Sequence, residues 1–429
     1  MSRQRRQQLT PTRSAATALR RLQRWMPQGV RAVIDKLHGL GAQAYVVGGV
    51  VRDAFLGRPG NDWDVATDAP PGWVAETFSR VVRAGEKHGT IMVLTETGPV
   101  EVTTFRSEGP YLDGRRPAHV AFHPDIEKDL ARRDFTINAM AADIAAARLV
   151  DPFGGQDDLR ARRVRAVGEP QERFAEDGLR PLRAVRFIAT LDFWLEETTR
   201  AALSSAPDVF ARVAWERKRD ELEKLLAGRA LLRALGVLYS SSLLGHLAPE
   251  LLRIAPASLL ALERVPAQLP WLRFAAWCIE NGVGVDGADA VLQRWRTPKA
   301  TRQRVRGVLG AASALSPRGP PQGAELRRWL AYHDPRFGLE TARLAAALWP
   351  DAYASFPSQV RRVLRGKAPL RLADLAINGR ELQAIGLRGP EVGRVQRALL
   401  EQVLDTPQKN RRRVLLHIAN NLSTSTAEA

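Results

Sequence analysis

The sequence predicts an α+β chain, with a small mixed β-sheet near the N-terminus and helices through the remainder, and three observations carry this. β-Branched runs and a Gly-Pro turn cluster between residues 44 and 105, a pattern that marks paired strands. Beyond Asp151 the strand signal fades, and apolar residues recur at helical spacing between Pro and Gly breaks. The chain has 429 residues, 45% of them hydrophobic, more than one hydrophobic core usually organises, so several compact regions are expected.

Residues 1–25 contain Arg3, Arg5, Arg6, Arg13, Arg20, Arg21 and Arg24 and no acid, which reads as a mobile, disordered basic extension. Val30, Val33, Ile34 and Leu37 then fall on one helical face, and Ala44–Val47 reads as a buried strand. Residues 91–94 and 100–105, separated by Gly98-Pro99, read as paired strands of an antiparallel or mixed sheet. Later stretches such as 222–238 and 257–265 read as amphipathic helices, with linkers expected at 314–323 and 365–369.

Composition narrows the chemistry. No run of about eighteen apolar residues occurs, and the N-terminus lacks the apolar core of a secretory signal, so a cytoplasmic protein without a membrane is expected. Cys278 is the single cysteine and the seven histidines show no metal-binding spacing, so any metal should be held by oxygen ligands. A net charge of +18 favours a polyanionic partner, with RNA, DNA and anionic membrane all compatible on charge alone.

The sharpest segment is Gly48-Gly49-Val50-Val51-Arg52-Asp53, directly after the first predicted strand, followed by Asp62-Trp63-Asp64. Paired glycines let backbone N–H groups approach a phosphate chain, and the adjacent Arg52 can grip phosphate oxygens. If Asp62 and Asp64 lie on a strand, both carboxylates face one way and can bind two magnesium ions roughly 3.5–4 Å apart. Glu101, on the face opposite Val100 and Val102, is the candidate third acid.

Read together in order, these segments resemble the class II tRNA nucleotidyltransferases and related poly(A) polymerases of the polymerase β superfamily. Arg132-Arg133-Asp134-Phe135-Thr136-Ile137-Asn138-Ala139, Asp151-Pro152-Phe153-Gly154-Gly155, and Glu176-Asp177-Gly178-Leu179-Arg180 with Arg183 and Arg186 extend the likeness over residues 28–225, with a weaker match near 377–410. The resemblance implies a nucleotidyltransferase head at 26–145, a helical neck that reads the nucleotide base at 146–225, and a helical body and tail binding tRNA at 226–429. It implies addition of C and A to the tRNA 3′ end from CTP and ATP with release of pyrophosphate, by two-metal phosphoryl transfer with Mg²⁺. The alternatives are addition of A alone, a poly(A) polymerase, and an inactive RNA-binding homologue.

By the same resemblance Asp62, Asp64 and Glu101 are catalytic, with Asp62 and Asp64 the metal ligands. Gly48, Gly49, Arg52, Asp53, Arg133, Asp134, Asn138, Asp177, Arg180, Arg183 and Arg186 bind nucleotide. An ionised Asp177 only accepts hydrogen bonds and Arg180 only donates, so the pair suits cytosine and adenine, which present an amino donor beside a ring-nitrogen acceptor. Residues 108–117 resemble the family's flexible loop, at a length compatible with A addition. Trp63 departs from the usual smaller residue and should affect packing only. His88-Gly89-Thr90 resembles the tRNA enzymes rather than bacterial poly(A) polymerases. The acceptor arm of tRNA is the expected macromolecular partner, with no obligate protein partner.

Overall fold

The structure, a computed structural model, describes residues 14–108, 120–205, 207–366 and 368–427. These form two compact units, residues 1–249 and 250–429. The sequence-drawn limits at 145 and 225 both fall inside the first.

The first unit opens with helices α1 (Ala15–Trp25) and α2 (Gln28–Gly39). There follow β1 (Ala44–Val47), α3 (Gly49–Phe55), β2 (Asp64–Thr67), α4 (Pro71–Thr77) and β3 (Val81–Val82). Next come β4 (Thr90–Thr95), β5 (Gly98–Thr104), β6 (Arg106–Glu108), β7 (Val120–Phe122) and α5 (Ile126–Ala131). The strands β8 (Ala141–Asp143) and β9 (Arg148–Val150) lead to α6 (Gly155–Arg160), β10 (Arg163–Val164), α7 (Pro170–Glu176) and α8 (Arg180–Leu191). β11 (Trp194–Leu195), α9 (Glu197–Ala202), α10 (Pro207–Arg212), α11 (Trp215–Leu226), α12 (Leu231–Ser240) and α13 (Leu243–Leu247) complete it.

Seven strands make one sheet in the order β3-β4-β5-β2-β1-β8-β9. β2 runs parallel to β5 and the other neighbours are antiparallel, so the sheet is mixed. Alternation along β5 explains how the sheet carries a core and a working face at once: Val100 and Val102 are buried while Glu101 between them is exposed. Val46, Val65 and Ile91, in register with Val102, are buried on that same face. Beyond the sheet in sequence, α8 packs against α11 and α12.

Two expectations are corrected here. Residues 15–25, placed in a disordered extension, form α1, because Ala18, Leu19 and Leu22 make a buried stripe between the arginines and Arg21 donates to the Ala54 carbonyl at 2.8 Å. Residues 222–238 are two helices, since α11 ends at Leu226 and α12 begins at Leu231. Residues 1–13 and the 109–117 part of the expected flexible loop lie outside the described residues.

The second unit is helical: α14 (Leu260–Arg264), α15 (Pro270–Glu280), α16 (Val285–Arg294), α17 (Lys299–Ser313), α18 (Gly323–Tyr332) and α19 (Pro335–Leu348). Then follow α20 (Pro350–Tyr353), α21 (Phe356–Arg365), α22 (Gly379–Ala384), α23 (Pro390–Asp405) and α24 (Arg412–Ala427). Trp329, Tyr353, Phe356 and Val360 centre one core, and Leu382, Val395, Leu399 and Leu415 another. The linker between α17 and α18 is anchored by the buried Tyr353, whose hydroxyl lies 2.7 Å from the Ser316 carbonyl and 2.8 Å from that of Gly319. Among the described residues no helix is long and apolar enough to cross a membrane.

Candidate active site

A cleft of about 530 Å³ opens in the first unit, and most of the expected site residues line it. Gly48 and Gly49, Arg52, Asp62 and Asp64 come from the sheet side; Arg133, Asp134 and Asn138 follow α5; Asp177, Arg180, Arg183 and Arg186 come from the start and face of α8. Glu101 and Asp53 do not line it.

β1 ends at Val47 and turns at Gly48 into α3, so the first amides of that helix face the cleft. Gly48 has φ 75° and ψ −137°, a conformation that only glycine adopts without strain. A Cβ there would also stand 3.1 Å from Arg133 Nη1. Gly48→Ala is therefore expected to cost about 1–3 kcal/mol of stability, read as a lower urea midpoint at unchanged slope. An unchanged midpoint would show that the turn relaxes freely.

Asp64 opens β2, but Asp62 sits in the extended lead-in before the strand rather than on it. Trp63 between them is buried, its indole N–H donating to the Gly60 carbonyl. Glu101 is the strand neighbour of Asp64 in the parallel β2–β5 register. Burial, then the charges of Asp62 and Glu101, push the Asp64 carboxyl up to about 6 against the pull of Arg133. This crowd of negative charge suits a cation. Among the described residues no three His, Cys, Asp or Glu side chains converge tightly enough to enclose a metal unaided, so Asp62 and Asp64 would share any ion with oxygens of the ligand.

Because a carboxylate must be ionised to hold a metal, affinity should fall as pH drops through about 6, by roughly tenfold per unit below it, and be flat above. Titration of Mn²⁺ at pH 5, 6 and 8 checks this; equal affinity at all three would remove Asp64 from the ligand set.

The opposite wall is cationic and braced. Asp134 is buried, with Oδ1 accepting from the Phe135 amide at 2.8 Å and Asn138 Nδ2 at 3.0 Å, and Oδ2 from Arg183 Nε at 2.8 Å and Nη2 at 2.6 Å. Burial opposes its charge, yet Arg183 and Asn138 hold the carboxyl well below its usual range. Asn138 Oδ1 in turn accepts from Arg52 at 2.6 Å. Arg186 is pushed down to about 10 by burial, which leaves it cationic at neutral pH, and its guanidinium stacks 3.7 Å from the Phe187 ring centre. Arg133 Nε is buried without a partner among the described residues, a donor suited to a phosphate oxygen. Asp53 lies between Arg52 and Arg58, accepting at 3.0 and 2.6–2.8 Å, and thus braces Arg52 rather than facing the cleft.

Asp177 and Arg180, at a spacing where helical ion pairs form, are held by different partners. Asp177 accepts from the Leu179 amide at 3.0 Å and from both Arg217 terminal nitrogens, at 2.8 and 3.3 Å. Arg180 is buried, donating to the carbonyls of Arg173 at 2.9 Å and Arg132 at 3.0 Å and to Glu176. Its Nε–H and one Nη2–H stay uncommitted among the described residues.

Sequence reasoning missed Arg132, Phe187, Arg217 and Lys224, which also line the cleft, and Glu221, which pairs with Arg183 and Arg186. The only available signal was the dense charge of residues 215–224, which an exposed helix would show equally.

Residues 44–165 match the poly A polymerase head domain, and residues 192–254 match the probable RNA and SrmB-binding site of polymerase A. The chain is 36% identical over 363 residues to the CCA-adding enzyme of Geobacillus thermodenitrificans, covering 82% of this chain and 86% of that one. It is 34% identical to the CCA-adding enzyme of Lactiplantibacillus plantarum, over 93% and 97% of the two chains. The crystal structure of the Bacillus stearothermophilus CCA-adding enzyme in complex with CTP is similar with a TM-score of 0.80 at 30% identity, over 94% of this chain and 99% of that one.

Proposed function

Because the chain belongs to the family of the CCA-adding enzymes, we propose how its own residues divide the work of building the CCA end of tRNA. It is a nucleotidyltransferase that adds C and A to the tRNA 3′ end from CTP and ATP and releases pyrophosphate. Relatives of that activity matched over most of their length favour full CCA addition over A addition alone, poly(A) synthesis or an inactive RNA-binding role.

The observation that carries the reading is the shared cleft: the carboxylates Asp62 and Asp64 on one wall and the separately braced Asp177 and Arg180 on another. Nucleotidyltransferases of this kind use divalent metal, and Mg²⁺ is the ion that an all-oxygen site with phosphate ligands favours. When bound at Asp62 and Asp64, it would supply activation of the attacking hydroxyl and screening of the triphosphate. The α3 amides at Gly48 and Gly49, with Arg52, Arg133, Arg183 and Arg186, hold the triphosphate. Asp134 and Asn138 set the angles of Arg183 and Arg52.

Base choice follows from hydrogen-bond direction. Asp177, oriented by Arg217, accepts from the amino group of cytosine or adenine, and Arg180 donates to the neighbouring ring nitrogen. Uracil and guanine reverse that order and leave buried polar groups unmatched. The residues from 250 onward, rich in arginine, serve to hold the acceptor arm through phosphates and helix shape. The cytoplasm, where CTP, ATP and tRNA are all at hand, is the proposed location.

The test is incorporation of labelled CTP and ATP with Mg²⁺ into tRNA transcripts lacking CCA, ending in C, or ending in CC. C, C and A should be added to the bare transcript. A single A gained only by the CC-ending transcript would instead assign the A-adding specialist.

A further inference from the structure

Helix α3 has only seven residues, Gly49–Phe55, too few to keep a helical shape or a fixed position unaided. It nevertheless carries Gly49 and Arg52 to the nucleotide cleft, and its N-cap Gly48 lines the same wall. Whatever fixes this helix therefore helps to fix the triphosphate.

The sequence leaves the far end of α3 short of a donor. The last carbonyls of a helix must take hydrogen bonds from beyond it. The Leu56 amide donates to the Arg52 carbonyl at 3.1 Å, that of Arg58 to Asp53 at 3.1 Å, and that of Gly57 to Ala54 at 3.3 Å. The residue four beyond Phe55 is Pro59, which has no N–H to give. Phe55 is buried, so its carbonyl needs a donor from elsewhere in the chain.

Arg21 of α1 supplies it. Arg21 Nη1 donates to the Ala54 carbonyl at 2.8 Å and to the Phe55 carbonyl at 3.4 Å, and among the described residues the Phe55 carbonyl has no other donor. A cation at this end is also favoured by the helix dipole. α1 is itself fastened in place. It packs against α3 and β9 through a buried stripe of Ala18, Leu19 and Leu22. Gln23 Nε2 donates to the Ile144 carbonyl just after β8 at 3.4 Å, and Arg31 of α2 donates to the Gln23 carbonyl at 2.9 Å. Arg20 and Arg24 of the same helix stay exposed, so Arg21 is the α1 arginine that turns toward α3.

We propose that α1 is a brace for α3 and that Arg21 is a positioning residue for the incoming nucleotide, although it does not line the cleft. The inference rests on the nucleotidyltransferase reading. By closing the far end of α3, Arg21 sets where Gly48, Gly49 and Arg52 meet the triphosphate. The acceptor RNA is held by other elements, so its binding should be indifferent to Arg21.

The experiment compares the native chain with Arg21→Met, Arg21→Lys and Arg24→Met. Arg21→Met keeps an apolar stem against α3 but loses the donors. It should raise KM for CTP and ATP, and the Kd of ATP for the primer-free protein, by roughly three- to tenfold, the scale of a cation at a helix C-terminus. KM for tRNA and kcat at saturating nucleotide should stay native. Arg21→Lys, which restores a charged donor, should recover most of the loss. Arg24→Met removes the same charge from the same helix and should change nothing; a loss equal to that of Arg21→Met would assign the effect to net charge and overturn the brace. A lowered urea midpoint in Arg21→Met with native KM for CTP and ATP, or an equal rise in KM for tRNA, also overturns it. A native chain that binds ATP yet extends no RNA overturns the nucleotidyltransferase reading, while the brace is still decided by the ATP titrations.

Discussion

Asp64→Ala is expected to lower the rate of nucleotide addition by roughly 10²–10³-fold, the range for loss of one active-site group that stabilises developing charge. Nucleotide binding should survive in part, because Gly48, Gly49 and the arginines that face the triphosphate stand on other elements. Single-turnover addition of A to a CC-ending tRNA reads the rate, and ATP titration reads the binding. The same substitution should abolish the fall in metal affinity around pH 6, because the carboxyl responsible is gone. Asp64→Ala with native turnover would remove the two-carboxylate reading altogether, whereas loss of both turnover and ATP binding would indicate a collapsed cleft.

The second large effect concerns the base. Arg180→Ala removes the donor to the ring nitrogen together with the hydrogen bonds it gives to the Arg132 and Arg173 carbonyls and to Glu176. Asp177→Ala removes the acceptor and leaves Arg217 unpaired. Either should lower kcat/KM for CTP and ATP by about 10²–10³. Misincorporation of UTP and GTP, measured as a ratio to CTP, should rise, because the mismatched bases no longer face an opposing donor or acceptor. A uniform loss across all four nucleotides, with the ratio unchanged, would assign Asp177 and Arg180 to the frame of the cleft and not to base selection.

Much of this site was legible because its chemistry sits in short local segments. The strand at 44–47, the glycine turn and the two aspartates follow one another within about twenty residues, and the hairpin around Gly98-Pro99 announces its own pairing. The resemblance supplied the neck positions that no local rule could have assigned. What stayed hidden depends on distance along the chain. Arg217 reaches Asp177 from forty residues away, and Glu221 reaches Arg186 from thirty-five; nothing in an amphipathic, charge-rich helix says which of its charges turns inward. Asp53 is the opposite case, its neighbour Arg52 lining the cleft while Asp53 itself pairs with Arg52 and with Arg58, a few residues on. Helix α1 was hidden by composition, its three small and apolar contacts outvoted by arginines.

The crowding of seven arginines and one lysine against four aspartates around the cleft has a thermodynamic side. Neighbouring glutamates relieve part of the repulsion, yet the empty cleft keeps an excess of like charge that the fold must hold together. Binding of a triphosphate discharges that excess, so part of the free energy of ligation returns as resistance to unfolding, growing with the logarithm of ligand concentration. The protein is then least durable when starved of nucleotide, and its lifetime is tied to the supply of the very molecules it consumes.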